Sequence, residues 1–349
     1  MDELKLNQYL EVREKMGWYD RSNTGKLAIR GADRFTWLQG MVSADTKSLA
    51  NNRSHSPLPA CLLDSTGHLL AELHLYSAQG GHAAKIGPKI GLGGEDFILI
   101  DMQRSELEKV VSTLDRFLIS EDVEIIDVSD RLGCVAAIGN RAYQHWDMAP
   151  EGKPLDELLP FSYGIITNSA PNLFGFVAYY PAEYQAQVEE IMARQEALNI
   201  DEETFELLRV EAGSPKYGVD MDEKTIALEA GLGPTHISFT KGCYVGQEVI
   251  ARIDSRGHTN RALTGFVIHS ETLPEPKAKL FAETEEGWKE TGWLTSVVAE
   301  SPAMDFRPIA LGYARHEHRA PGTTLHIGEP ESGRTVQTIE LPFFRGAKS

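Results

Sequence analysis

Thiols are scarce in this chain: its 349 residues include three cysteines, and no Cys-x-x-Cys pair occurs. That excludes a disulfide framework and a thiolate-type structural zinc site. Basic residues are also in deficit, 34 Lys and Arg against 51 Asp and Glu, for a net charge of −17. Such a chain is a poor default partner for nucleic acid or an anionic membrane. No apolar run reaches the length of a membrane span. The opening stretch, MDELKLNQYLEVREKMGWYD, lacks the apolar core of a signal peptide and the Arg-rich, acid-poor character of a transit peptide. The expectation is a cytoplasmic protein in a reducing compartment. Nucleotide fingerprints are absent too. Gly91-Leu92-Gly93-Gly94 has neither the glycine spacing of a dinucleotide site nor the Lys-Ser/Thr of a P-loop.

What remains is globular. Hydrophobic residues make up 42% and charged residues 24%, levels that support two or three packed domains at this length. Periodicity predicts a helix over 1–16, a strand over 26–30 and a helix over 32–39. A hairpin follows, with strands 58–63 and 69–76 flanking the turn Asp64-Ser65-Thr66-Gly67. The Gly-rich stretch 78–96 reads as a surface excursion. Strand 97–102, helix 105–118, strands 123–128 and 132–138 and a short helix over 141–146 come next. This order predicts an α+β fold with ferredoxin-like parts. Residues 149–160 are Pro-rich and acidic, a linker. A strand over 173–180 and helices over 182–198 and 204–212 precede a change of character from Arg261 onward, with a domain boundary near His258. Beyond it, short strand signals alternate with Pro/Gly/Glu turns, the pattern of a small antiparallel β-barrel. The expected units are 1–148, 161–257 and 258–349.

The richest segment is Ser238–Arg252, SFTKGCYVGQEVIAR. Cys243 lies between Gly242 and Gly246, which permit sharp turns. Val245, Val249 and Ile250 then recur at helical spacing, so a helix is expected to start near Gly246. A thiol just before a helix N-terminus, with Lys241 two residues away, is in surroundings that favour the thiolate. Gln247 and Glu248 are candidates to cap the helix start, and Tyr244 belongs to the same motif. Cys61 and Cys134 sit in apolar strand signals and read as core. His236 lies seven residues before Cys243 and is a candidate base for it. His316-Glu317-His318 falls in a predicted strand or its turn and offers two imidazoles without a third ligand, so no metal site is expected.

The ordered blocks Arg209-Val210-Glu211-Ala212-Gly213, Tyr217-Gly218-Val219-Asp220 and Leu228-Glu229-Ala230-Gly231-Leu232 resemble the glycine-cleavage T-protein, a tetrahydrofolate-dependent aminomethyltransferase. The block KGCYVGQE is more similar to a sister group, the YgfZ-type folate-binding proteins linked to assembly or repair of iron–sulfur enzymes. Gly31–Gly40 and Gly312-Tyr313-Ala314-Arg315 resemble the opening and the C-terminal barrel of the same superfamily. The resemblance implies three domains in a ring, bound tetrahydrofolate, a role in one-carbon metabolism, and iron–sulfur client or assembly proteins as partners, with neither nucleic acid nor membrane.

T-proteins carry Gly-Gly-x-x-Asp-Asp after the first hairpin turn. Here Ala71 and Glu72 stand at the two acidic positions. T-proteins also carry Thr-Gly-Glu before a strand, whose Glu binds the pteridine. The matching stretch, Ser169–Phe176, has no acid. The resemblance therefore implies an accessory folate-binding protein with Cys243 as its key thiol. The alternatives are an aminomethyl- or methyltransferase and a non-catalytic scaffold. Arg209, Glu211, Tyr217 and Arg252 are the candidate folate contacts, each with an alternative as ion pair, packing residue or solvated helix face. A metal or cluster held stably by one chain is not expected, since a cluster wants about four thiolates.

Overall fold

The computed structural model describes residues 1–51, 57–139, 142, 163–165 and 175–344. The expected linker 149–160, the expected helix 141–146 apart from Ala142, and residues 169–174 lie outside them. Among the described residues ten strands form two sheets: β1 (Gly17–Asp20), β2 (Gly25–Arg30), β3 (Leu58–Leu63), β4 (Leu69–Ala78), β5 (Phe97–Met102), β6 (Glu124–Asp127), β7 (Leu132–Ile138), β8 (Tyr163–Ile165), β9 (Gly175–Pro181) and β10 (Leu198–Asn199). The first sheet has the order β3-β4-β5-β2-β6 and the second β10-β1-β7-β9-β8.

Alternation along the strands explains the layering. In the first sheet Leu27, Ile29, Ala71, Leu73, Leu75, Ile98 and Ile100 pack beneath Trp37, Leu38, Val110 and Leu114 of helices Arg34–Met41 and Leu107–Asp115. The opposite face presents Ala28, Tyr76, Phe97 and Leu99 to Cys134, Ala136, Val177 and Tyr179 of the second sheet. That sheet's outer face, with Trp18, Val135, Ala137 and Ala178, is covered by Val188, Ile191 and Met192 of helix Gln185–Arg194. The result is two sheets face to face between helical layers. Cys61 and Cys134 are core strand residues as expected, and burial raises both thiol pKa values, that of Cys134 to about 12.

The C-terminal region forms a closed barrel in the order β11-β14-β13-β12-β15-β16. Its strands are β11 (Arg261–His269), β12 (Lys279–Thr284), β13 (Gly287–Ser301), β14 (Arg307–Arg315), β15 (Thr324–Ile327) and β16 (Thr335–Ile339). Closure removes the exposed edges that an open sheet of this size would leave. The α+β class with a C-terminal antiparallel barrel is thus present.

One local expectation is corrected and another resolved. Residues 78–96 are not a free excursion: Ile86, Ile90 and Leu92 are buried in the core between the sheets. Hydrophobic residues spaced among glycines gave no period to read, although they pack. His316–His318 is the turn of the two expected alternatives, a single 3₁₀ turn after β14, so strand alternation does not set the direction of its imidazoles.

Glu211 joins three parts of the chain. It is fully buried. Its carboxylate accepts from Tyr9 Oη (2.9 Å), Arg13 Nη2 (2.5 Å), Ser301 Oγ (2.6 Å) and the Ala303 amide (3.2 Å). Its carbonyl accepts from the Phe343 amide at 2.9 Å. N-terminal helix, helix Glu202–Glu211 and barrel therefore meet on one side chain. Glu211→Gln is expected to cost about 1–3 kcal/mol through weakened charge-assisted bonds. Urea denaturation checks it, and an unchanged midpoint would contradict the role.

Candidate functional site

β4 reads Leu69-Leu70-Ala71-Glu72-Leu73-His74-Leu75-Tyr76, with apolar and polar side chains alternating around its centre. Ala71, Leu73 and Leu75 enter the core beneath the helices. Glu72 and His74 therefore point to the opposite face. Register places partners beside them. Cys61 is opposite Glu72, Asp101 is opposite His74, and Lys26 is opposite Asp101. A row of polar groups thus crosses the inner face of an otherwise apolar sheet.

A loop from far along the chain completes the cluster. The single helical turn Gly233–His236 packs on β3 and delivers His236, which is 7% exposed. Its Nε2 lies 3.1 Å from Glu72 Oε1, and its Nδ1 lies 2.7 Å from Thr235 Oγ1. Ser43 Oγ donates to the His236 carbonyl at 2.6 Å, which fixes the turn against the first sheet. The rings of His74 and His236 meet edge to face with centroids 6.1 Å apart. Burial favours the neutral carboxyl of Glu72. The hydrogen bond to His236 and the nearby His74, His236 and Arg21 outweigh it and hold the pKa below the usual carboxylate range. Burial pushes His74 the other way, toward the neutral imidazole.

Asp101 continues the polar row and is fully buried. Its Oδ2 accepts from Tyr179 Oη and lies 3.4 Å from Arg21 Nη2. The Tyr76 and Tyr179 hydroxyls are 3.3 Å apart. Asp101 Oδ1 has no hydrogen-bond partner among the described residues, and the same holds for both carboxyl oxygens of Glu106. Lys26 Nζ donates to the Ser22 and Thr24 carbonyls at 2.9 and 3.1 Å, and burial lowers its pKa. The seam therefore combines charge, an orphan acceptor and aromatic rings, with Asp101, Tyr76 and Tyr179 buried and Glu72 and His74 partly exposed at its edge, and electrostatic interactions are strengthened at its buried end.

The residues singled out in the sequence mostly fall elsewhere. Cys243 is exposed, whereas Cys61 and Cys134 are buried. The helix after it, Gln247–Arg256, starts where the spacing predicts. Gly246 caps it at φ +83°, where a Cβ would lie 2.5 Å from the Asp64 carbonyl, so this turn requires glycine. Gly242 has open space around it and no left-handed φ, and its backbone does not demand glycine. Lys241 Nζ donates to the carbonyls of Gln39, Val42 and Ala44 at 2.6, 2.7 and 2.8 Å. Its three protons are thus used to pin this loop to the end of helix Arg34–Met41. Tyr244 packs with Leu63, Leu69 and Ala230. The helix start has no side-chain cap, and Glu248 instead pairs with Arg252 at 2.9 Å on an exposed face. Gln247 is half-buried, and its amide donates to the Tyr244 carbonyl at 3.3 Å.

Arg209 binds Asp220 Oδ2 at 2.7 Å, the Ser214 carbonyl at 2.6 Å and Ser296 Oγ at 2.8 Å. It closes the Gly213 turn and ties it to the barrel. Tyr217 Oη accepts from Lys109 at 2.8 Å and seals a packed seam. The partners of Arg209, Glu211, Tyr217 and Arg252 are all within the protein. The structure brings Glu72 together with His236, and it adds His74, Asp101, Arg21, Tyr76 and Tyr179. A signal for two of these was present: polar residues at every second position of a predicted strand, and an Asp inside the apolar run Phe97–Met102. An open cavity of about 850 Å³ lies apart from this cluster, lined by residues including His258, Trp293, Arg315 and His316. There Arg261 stacks over Trp293 at 4.8 Å and pairs with Glu229 at 2.8 Å.

No protein-family model matches the chain. Curated proteins match it over nearly its whole length. An aminomethyltransferase of Symbiobacterium thermophilum is 25% identical over 357 residues, covering 97% of this chain and 89% of that one. One from Geobacillus kaustophilus is 26% identical with the same coverage. The tRNA-modifying protein YgfZ of Cronobacter sakazakii is 26% identical over 327 residues, covering 90% and 89%. The fold matches the crystal structure of glycine cleavage system aminomethyltransferase T from Bartonella henselae with a TM-score of 0.77 at 20% identity, over 98% of this chain and 90% of that one. The chain is thus similar over nearly its whole length to aminomethyltransferases and to a YgfZ protein, and it has the fold of the glycine-cleavage aminomethyltransferase. Among its described residues no helix is long and apolar enough to cross a membrane.

Glu106 yields a prediction of its own. It is 1% exposed, and burial, opposed by Lys109 and reinforced by Glu72, raises its pKa to about 8. The folded state therefore binds this proton more tightly than the unfolded chain, and stability is lost as pH rises from the unfolded value near 4.5 to about 8. Glu106→Gln escapes that loss. Its stability relative to the parent should rise by up to about 3 kcal/mol between pH 5 and pH 8.5. Denaturation at the two pH values checks this, and a pH-independent difference would contradict it.

Proposed function

We propose that this protein binds tetrahydrofolate in the seam between its two sheets and transfers a one-carbon group, with Glu72 as the acting carboxylate. The observation that supports this is the direction of the β4 side chains. The resemblance places Ala71 and Glu72 at the acidic pair of T-proteins, and Ala71 is the one that faces the core. The acid that faces the seam is retained as Glu72, one methylene longer than Asp. The missing acid is therefore on the side where no ligand reaches.

The seam suits a pteridine. Asp101 Oδ1 is a buried acceptor with no partner among the described residues, and a pteridine edge carries N–H donors. Tyr76, Tyr179 and Cys134 supply flat and apolar walls beside it. When bound, tetrahydrofolate supplies a ring amine that carries the one-carbon unit. Glu72, ionised, would stabilise the positive charge that develops at the transferring carbon, take the proton of the attacking ring amine and return it to the group that leaves the donor carbon as its bond breaks. His236 orients the carboxylate through Oε1, while Oε2 makes no hydrogen bond among the described residues. Asp101 and Tyr179 hold the ring.

Glu72→Gln should lower the transfer rate by about 10²–10⁴-fold, the usual contribution of a positioned acid–base group, with tetrahydrofolate affinity changed little. Asp101→Asn should weaken tetrahydrofolate binding instead. Single-turnover transfer assays with aminomethyl and methyl donors, together with fluorescence titration of the folate, separate the two effects. Unchanged transfer by Glu72→Gln overturns the assignment.

A second reading is favoured by the exposure of Cys243 and by the similarity to the YgfZ protein of C. sakazakii. In it the chain is an accessory factor for iron–sulfur enzymes and Cys243 is the acting thiol. Cys243→Ala should then fail to restore iron–sulfur enzyme activities in cells lacking the gene, with folate binding and stability intact. Full rescue removes the thiol from the function.

A further inference from the structure

Glu72, His74 and His236 offer one carboxylate oxygen and two imidazole nitrogens that all lie within 4.8 Å of one another. We infer that these three side chains bind a divalent transition-metal ion, with Zn²⁺ as the best-matched occupant. The inference goes beyond the folate reading and does not depend on it, because metal binding is measured without folate.

Geometry carries the case. Two ligands of a tetrahedral Zn²⁺ with bonds of about 2.0–2.2 Å are roughly 3.4 Å apart. Glu72 Oε1 and His236 Nε2 are already 3.1 Å apart. Two negatively polarised atoms at that separation need either a proton or a cation between them. The ring nitrogens of His74 make no hydrogen bond among the described residues, so a small rotation brings the third ligand in without breaking one. Glu72 and His74 are on adjacent inward positions of one central strand, which fixes their spacing. His236 arrives from a turn held by the Ser43 hydroxyl, and its Nδ1 is engaged by Thr235 Oγ1, the kind of outer contact that aims Nε2 at a metal.

Charge is consistent with a divalent ion. Glu72 and Asp101 bring two carboxylates to the seam, and Arg21 is already matched to Asp101 at 3.4 Å. An N₂O ligand set suits Zn²⁺, Co²⁺ and their neighbours, whereas Mg²⁺ and Ca²⁺ prefer all-oxygen sites. Three protein ligands leave a coordination position open, as in exchangeable centres rather than structural ones. With Glu72 on a metal, its carboxylate is withdrawn from any role in group transfer, so metal-bound and transfer-competent states exclude each other.

The test uses the full chain, stripped with chelator and titrated with Co²⁺ followed by visible spectroscopy and with Zn²⁺ by calorimetry. The expected result is saturable binding of one ion per chain, ligand-field bands of a low-coordinate Co²⁺ that Zn²⁺ displaces, and no binding of Mg²⁺. Glu72→Gln, His74→Asn and His236→Asn should each weaken binding by more than about 100-fold, beyond the usual loss from an outer-shell change. His316→Ala, in the separate surface cavity, should leave it unchanged. If a ligand variant fails to fold by circular dichroism, the other two and the parent titration still decide. No saturable binding by the parent overturns the inference. So does unchanged binding in a folded ligand variant, or an equal loss in His316→Ala.

Discussion

Charge buried between two sheets is the constraint on which the rest of this structure depends. Asp101 sits on a central strand with no exposure, in a polar row with Lys26, His74 and Glu72 that crosses a face of alanine, leucine and aromatic side chains. An isolated carboxylate there would cost many kcal/mol, so the fold must bring it partners. Arg21 comes from the end of β1, Tyr179 from β9, and Lys26 from the neighbouring strand, capped on backbone carbonyls. The two sheets are therefore held in one register by polar as well as apolar contacts. The same requirement draws His236 from the far side of the sequence to Glu72. The orphan oxygen on Asp101 marks where the internal partners run out among the described residues, which is where a ligand has something to gain.

Structural polar groups surround this seam in a second ring. Glu211 ties the N-terminal helix to the barrel, Arg209 ties the Gly213 turn to Asp220 and Ser296, and Lys241 pins the Cys243 loop to three carbonyls. Each is a buried charge with its bonding capacity largely used inside the protein. Such residues make a binding seam rigid without touching what it binds. They are also the residues that a motif reading selects, because charged groups in ordered blocks look the same on a sequence whether they hold the fold or the ligand.

Much of the architecture was legible. The hairpin over 58–76, the strand over 97–102 and the barrel signals after residue 258 follow from alternation and turn chemistry, which are local. The pairing of β1 with β7 and β10 was not, since nothing in Gly17–Asp20 indicates partners more than a hundred residues away. The candidate site divides the same way. Cys243, Glu72 and His236 were visible as residues. Their grouping was not: the expected neighbour of His236 was the thiol, and the one it has is Glu72. Ala71 shows the point most clearly. Its presence reads as a lost acid until the strand's direction shows that position 71 faces the core.

The central claim is that the ligand site is the seam between the sheets rather than the exposed thiol loop. Hydrogen–deuterium exchange with and without tetrahydrofolate tests it most directly. The expected result is added protection in peptides covering β4, β5 and residues 232–238, with the Cys243 loop little changed. Protection confined to residues 240–256, or none in β4 and β5 at saturating folate, would contradict it.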